Sequence, residues 1–217
     1  KATTLEMEQK RNETSKIRCV TFCIETRADC AEKVHINDML QLGATRVEVG
    51  VQSLYDNVLK KVERGNTNAD NMKATQMLKD AFLKVGYHMM LGLPGSSADQ
   101  DREMHRELFA NPDYCPDALK VYPCMVFKGT KLYEQYKKGA FTPINAKEAL
   151  ERVIEIKKYF PTYCRVMRVQ RDIPTFMVEA GVEKTNLRQE IENELKKRGL
   201  KCRCIRCREP KTKIIDW

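Results

Sequence analysis

Three cysteines close to the C-terminal end, in the run Cys202-Arg203-Cys204-Ile205-Arg206-Cys207, are spaced C-x-C-x-x-C. A short turn brings alternate side chains round to one centre, so three thiolates this close can converge on a single tetrahedral ion. Zinc is the first choice, because sulfur-rich sites in tight loops suit it and it needs no redox partner. An iron–sulfur cluster ranks second, since it normally takes four cysteines over wider spacing. The plainer reading, small residues of an apolar core, fits poorly with the arginines interleaved among them. The expectation is a zinc-held basic knuckle whose fourth ligand the spacing does not identify.

Charge surrounds the knuckle. The 217 residues carry a formal net charge of +9, and the stretch from Lys196 to Lys213 alone holds nine basic residues against one acidic, a local +8. A field of this kind marks a surface for a polyanion, and nucleic acid is the commonest large one inside cells. A solvated basic tail is the bland alternative. The nine cysteines are an odd number. With no apolar leader in residues 1–8, they read as thiols of a reducing compartment rather than a disulfide framework. A first residue of Lys instead of Met reads as a sequence trimmed at its front. No stretch approaches the roughly 20 apolar residues of a membrane span, and a cytoplasmic place is expected.

The remainder reads as alternating strands and helices. Residues 18–26 are apolar and β-branched, a strand; 34–42 form an amphipathic helix closed by Gly43. Residues 45–51 alternate as a second strand, and 54–62 and 68–81 follow as helices. A third strand over 84–91 ends in the breaker Gly92-Leu93-Pro94-Gly95. Residues 97–109 make a capped helix, 118–122 a fourth strand broken by Pro123, and 130–138 and 146–159 two helices. Residues 164–169 make a fifth strand, and helix 186–198 carries the basic tail. Such units imply a parallel sheet with right-handed crossovers. A closed eight-unit barrel usually needs about 250 residues, so a partial (β/α) barrel over 1–181 is expected, with a small zinc-binding segment over 182–217.

Chemistry in parallel sheets collects at the carboxyl ends of the strands. The polar residues there are Glu25, Arg27, Glu48, Gln52, His88 and Tyr122. A buried carboxylate or amide is costly unless it binds something, so the set points to a ligand. For any one member a satisfied structural hydrogen bond is the commoner explanation.

The run Arg46-Val47-Glu48-Val49-Gly50-Val51-Gln52-Ser53, Arg64-Gly65, and His88-Met89-Met90-Leu91-Gly92-Leu93-Pro94-Gly95 resembles the radical S-adenosylmethionine domain shared with coproporphyrinogen dehydrogenase-like enzymes. Glu25-Thr26-Arg27, the segment Arg168-Val169-Gln170-Arg171-Asp172-Ile173-Pro174 and the cysteine run narrow this. Together they resemble the Elongator catalytic-subunit family, the tRNA-uridine acetyltransferases, in its archaeal form, from about Met7 onward.

The resemblance implies modification of the tRNA wobble uridine (U34), with S-adenosylmethionine and a [4Fe-4S] cluster in the barrel and acetyl-CoA handled by a separate acetyltransferase domain. By position, Glu25, Arg27, Glu48, Gln52, His88 and Tyr122 would line the adenosylmethionine pocket. Cys202, Cys204 and Cys207 would hold zinc. Arg168, Arg171, Lys196, Lys197, Arg198, Arg203, Arg206 and Arg208 would face tRNA. Further Elongator subunits are expected only if the chain is neither archaeal nor bacterial, and a homo-oligomer stays open.

Some features depart from the family pattern. Cys19, Cys23 and Cys30 are spaced C-x3-C-x6-C, unlike the family's cluster loop, so that loop is expected to be missing, and the acetyltransferase domain would begin where the chain stops. Asn66 stands where the family usually has histidine and cannot titrate near neutral pH; Ala28 replaces a usual proline. Two functions follow as alternatives: the barrel portion of a U34-modifying enzyme, inactive by itself, or a non-catalytic, zinc-stabilised tRNA-binding module. Porphyrin-type chemistry on the same barrel comes third, because a porphyrin needs no basic knuckle.

Overall fold

Alternation of β-branched and polar residues shapes most of the molecule. A computed structural model describes residues 4–171 and 173–210; the expectations placed on residues 1–3, Asp172, Lys211 and Lys213 lie outside them. Helix α1 (Leu5–Thr14) precedes strand β1 (Cys23–Thr26), helix α2 (Lys33–Gln41) and strand β2 (Arg46–Gln52). Then come α3 (Asp56–Lys61), α4 (Asn68–Asp80), β3 (Lys84–Leu91), α5 (Ala98–Ala110) and β4 (Ala118–Pro123). The chain continues through β5 (Val126–Phe127), α6 (Lys131–Lys137), α7 (Ala146–Lys157), β6 (Arg165–Arg168) and β7 (Val178–Ala180). It closes with α8 (Leu187–Lys197) and α9 (Ile205–Arg208).

Five strands form one parallel sheet in the order β1-β2-β3-β4-β6. Each strand pairs with the one before it, so right-handed crossovers put all the connecting helices on one face. Val47, Val49 and Val51 of β2, Val85, Tyr87, Met89 and Leu91 of β3, and Leu119 and Val121 of β4 are fully buried on that face. They pack against Ile36, Leu78, Met104, Leu108, Val153 and Ile156 from the helices. At about 1.5–3 kcal/mol per large apolar side chain, this layer is the main source of stability. Leu187, Ile191, Leu195 and Cys204 belong to the same core. Residues of the other parity face inward and are mostly polar.

Side-chain caps set the helix starts. Thr67, Ser97 and Asn145 each accept from the backbone N–H three residues on, and each donates its own backbone N–H to the side chain of Asp70, Gln100 or Glu148. The turn after β3 is held from behind. Fully buried Asp101 accepts from the Gly92 N–H at 2.8 Å and the Ser96 hydroxyl at 2.7 Å, and pairs with Arg152 of α7 at 2.5 Å. Gly92 has φ +69°, and a Cβ there would lie 2.8 Å from Ile144 Cγ2, so glycine is required on both counts.

Strand β3 spans the residues expected from the sequence. The first expected strand contracts to Cys23–Thr26, because the extended, exposed residues before it have no ladder on the outer side of β1 among the described residues. Pro123 completes β4 rather than breaking it; at a strand end its missing N–H costs no ladder bond. Helix α1, the antiparallel β5–β7 ribbon and α9 were not anticipated.

Candidate functional site: a charged barrel lumen and a cysteine knuckle

The inward face brings four of the six sequence-selected residues together. Glu25 and Glu48 lie directly opposite on β1 and β2, and His88 and Lys120 directly opposite on β3 and β4. The His88 Nε2 is 2.9 Å from Glu48 Oε2 and 3.9 Å from Glu25 Oε1. Lys120 Nζ donates to Glu25 Oε1 at 2.5 Å and also pairs with Glu48 Oε2. Arg46 Nη1 lies 3.8 Å from the other Glu48 oxygen. The Tyr122 ring stands edge-on to His88, centroids 5.9 Å apart, hydrogen-bonds Arg168, and has the Arg171 guanidinium 6.0 Å over it.

Burial by itself would raise the Glu48 carboxyl. Hydrogen bonds from His88 and Lys120, with the Lys120 charge, outweigh it and hold Glu48 at about 2. Burial would likewise depress Lys120, but its bonds to Glu25 and Glu48 raise it. Burial, with Glu48 nearby, pushes the Cys23 thiol up to about 11. Glu48 is therefore an acceptor. An ionised Glu48 can only accept, so the His88 Nε2 is the donor of that bond.

Arg27 and Gln52 sit at the rim instead. Gln52 ends β2 in the left-handed region, φ 67°, after a register shift in the β2–β3 pairing. Arg27 pairs with Asp29. Arg64, absent from the sequence selection, donates from Nη2 to the Gly50 carbonyl at 2.8 Å, while its buried Nε has no partner. Burial, then neighbouring Arg27, lowers its guanidinium pKa. Above β3 and β4 opens a cavity of about 310 Å³ with an apolar floor of Met90, Leu93, Pro123 and Phe127 and cations Lys61 and Arg171 at its edge.

The cysteine knuckle converges as expected. The sulfurs of Cys202, Cys204 and Cys207 all lie within 4.8 Å of one another; a tetrahedral zinc site places its sulfurs about 3.8 Å apart. Mutual hydrogen bonds lower the Cys204 thiol from its ordinary value and raise that of Cys202. Lys157, 1% exposed, reaches its Nζ to 3.4 Å from Cys207 Sγ. The donor set fits zinc. Cys19, Cys23 and Cys30 behave differently: they make no convergent group among the described residues, and the Cys19 thiol faces the Thr21 carbonyl. These three do not fit an iron–sulfur cluster.

The basic tail is partly spoken for. Arg198 forms a two-pronged pair with Glu151, at 2.8 and 2.6 Å, and also bonds Glu194. Arg206 pairs with Glu209, and Arg208 donates to the carbonyls of Arg203 and Thr162. Lys197 lies 3.7 Å from Glu194. Lys196 and Lys201 line a groove of about 550 Å³ between α8 and the cysteine loop, and Arg203 is exposed beside it. Lys120, Arg46, Arg64 and Lys157 escaped the sequence reading. The parity of Arg46, Glu48, Lys120 and Tyr122 was the signal for the first two; the others leave none.

The sequence matches the family model of the Radical SAM superfamily over residues 2–108 and that of the Radical_SAM C-terminal domain over residues 116–197. It is 52% identical over 205 residues to the tRNA uridine(34) acetyltransferase of Methanocaldococcus infernus, covering 94% of this chain and 38% of that one. It is 42% identical over 200 residues to Elongator complex protein 3 of Homo sapiens, covering 92% and 37%. Among solved structures, "The archaeal Methanocaldococcus infernus Elp3 with N-terminus deletion (1-46)" superposes with TM-score 0.93 at 51% identity, covering 96% of this chain and 49% of that chain. The chain thus spans about two-fifths of the length of the curated relatives it matches. With a parallel half-barrel, a polar lumen and these matches along nearly its whole length, the chain belongs to the radical S-adenosylmethionine superfamily, in its Elongator catalytic-subunit family.

Proposed function

We propose that this chain is the barrel portion of an enzyme that installs a carboxymethyl-type group on tRNA uridine 34, with S-adenosylmethionine bound in the lumen and acetyl-CoA supplied by another domain. The lumen carries this reading: buried Glu48 and Lys120 and half-buried His88 meet under the carboxyl ends of parallel strands, with exposed Glu25 at their open side. So many charged groups are costly to shelter unless they organise a polar ligand. Adenosylmethionine carries an ammonium and a sulfonium against one carboxylate, and the donor set suits it, with carboxylates for its cationic groups and the Arg27–Arg64 rim, including the unpartnered Arg64 Nε, for its carboxylate. Bound beside a reducing iron–sulfur cluster, for which Cys19, Cys23 and Cys30 offer no convergent ligands, it would supply the radical chemistry of the superfamily.

The chain's own residues bind, orient and exclude water. Lys120 and His88 keep Glu48 ionised and fixed, Tyr122 walls the pocket, and Arg168 and Arg171 flank its ring toward tRNA. Such alignment is worth several kcal/mol of a reaction barrier, of the order of 7–11 in the best cases. Calorimetry with S-adenosylmethionine tests the reading: heat of binding that disappears in Glu48→Gln is expected, and its absence in the unaltered chain overturns it. Uridine modification by this chain alone is expected to be nil.

A second reading, favoured by the converging sulfurs, is a zinc-stabilised tRNA-binding module without chemistry of its own. Metal analysis giving one zinc per chain, tRNA binding that weakens steeply with salt, and no heat with adenosylmethionine would select it. A cytoplasmic setting suits either reading; among the described residues no helix is long and apolar enough to cross a membrane.

A further inference from the structure

Glu25 and Glu48 face each other across neighbouring strands. Like charges directly opposite in a sheet repel, so a cation between exposed Glu25 and buried Glu48 stabilises the pair. Two carboxylates and an imidazole are a common donor set for a divalent metal, and here a glutamate oxygen from each and a ring nitrogen of His88 lie within 4.8 Å of one another. The central position is nevertheless filled from within the chain. Lys120, 9% exposed, extends from β4 across β3 and sets its ammonium against both carboxylates.

The backbone of β3 makes that reach possible. Gly86 lies opposite Glu48 on one side and Ala118 on the other, and a Cβ at position 86 would come within 3.1 Å of Glu48 Cγ and 3.6 Å of Ala118 Cβ. A small-residue corridor thus separates Glu48 from β4. Other polar groups facing the cluster are Arg46, 3.8 Å from the far oxygen of Glu48, the Cys23 thiol, and Tyr122, edge-on to His88.

We propose that Lys120 is a tethered cation standing in for a divalent metal in a two-glutamate, one-histidine pocket, and that it thereby determines which ligands the lumen accepts. A metal ion could enter only by expelling the ammonium, which is held at high local concentration by its own strand. The lumen is therefore closed to divalent metals and open to organic ligands that hydrogen-bond to fixed carboxylates. The assignment holds whether or not the lumen takes adenosylmethionine.

Lys120→Met, which keeps the stem and removes the charge, tests it. The probe is Mn2+, a hard ion that favours carboxylates and water over thiolates, added to zinc-saturated full chain so that the knuckle does not compete. Bound Mn2+ is read from the loss of the free-ion paramagnetic resonance signal, and folding from thermal melting with and without Mn2+. The expected result is no lumen Mn2+ in the unaltered chain or in Lys120→Arg, about one Mn2+ per chain in Lys120→Met, and loss of that uptake in Lys120→Met/Glu48→Gln. Mn2+ should raise the melting temperature of Lys120→Met alone. Equal Mn2+ uptake by the unaltered chain, no uptake by Lys120→Met, or a Lys120→Met chain unfolded at every Mn2+ concentration would each overturn the proposal. Adenosylmethionine calorimetry on the unaltered chain reports separately on the proposed reaction.

Discussion

The lumen and the C-terminal tail are both dense in charge, yet they use it in opposite ways. In the lumen, cations and carboxylates from four strands are set by register into one network that runs from Glu48, 3% exposed, out to Glu25 at the solvent edge. In the tail, Arg198 and Arg206 find their carboxylates on the surface, and Lys196, Lys201 and Arg203 stand beside an open groove. Breaking a buried pair leaves a charge that nothing compensates; breaking an exposed one hands it back to water. A count of charges therefore says little until burial is known.

The largest effects should come from the buried pairs. Asp101→Ala strips Arg152 of its partner and orphans the Gly92 N–H, and should cost about 3–5 kcal/mol in urea unfolding. A loss under about 1 kcal/mol would place this ion pair with the surface kind. Acid should expose the lumen next. Because the folded Glu48 pKa is depressed from 4.5 to about 2, its stabilisation is complete above about pH 4.5 and is lost as pH falls toward 2. At most about 3 kcal/mol is involved. Glu48→Gln should flatten the pH dependence of unfolding in that window, and an unchanged profile would assign it to other carboxylates. At the knuckle, Cys204→Ser should reduce zinc from one per chain to none while the far-ultraviolet circular dichroism of the barrel persists. Retained zinc would remove that thiolate from the site.

The smallest effects divide the tail itself. Lys196→Glu with Lys201→Glu and Arg203→Glu should lower the salt slope of RNA binding by about 2, at roughly 0.7 counterion for each lost phosphate contact. Arg198→Glu should leave the slope as it was and loosen the α7–α8 contact instead. A matching drop for Arg198→Glu would show that its pair with Glu151 opens to admit phosphate.

Much of the fold was legible because local chemistry and global packing agree. The alternation of β3 and the caps at Ser97 and Thr130 place their elements closely. Glu25, Glu48, His88 and Tyr122 were legible as a set because corresponding strand ends converge in a parallel sheet. Lys120 shares the parity of Tyr122 and could have been added to the set, although a lysine between Leu119 and Val121 also fits an ordinary solvent-facing strand position. Only the curvature of the sheet makes that face an interior. The Arg198–Glu151 pair spans 47 positions, and no local pattern encodes such a meeting. The two- and three-residue strands of the ribbon are too short to show a period.

Gly86 gives the chain a steric lever on its chemistry. A single methyl at that position would wedge the Glu48 stem away from β4 and slacken the grip of Lys120, without altering any ionisable group. Variation in what this barrel admits can therefore arise by widening or narrowing one strand's spine, and a survey of natural variants that tracked only acids and bases would overlook the dial.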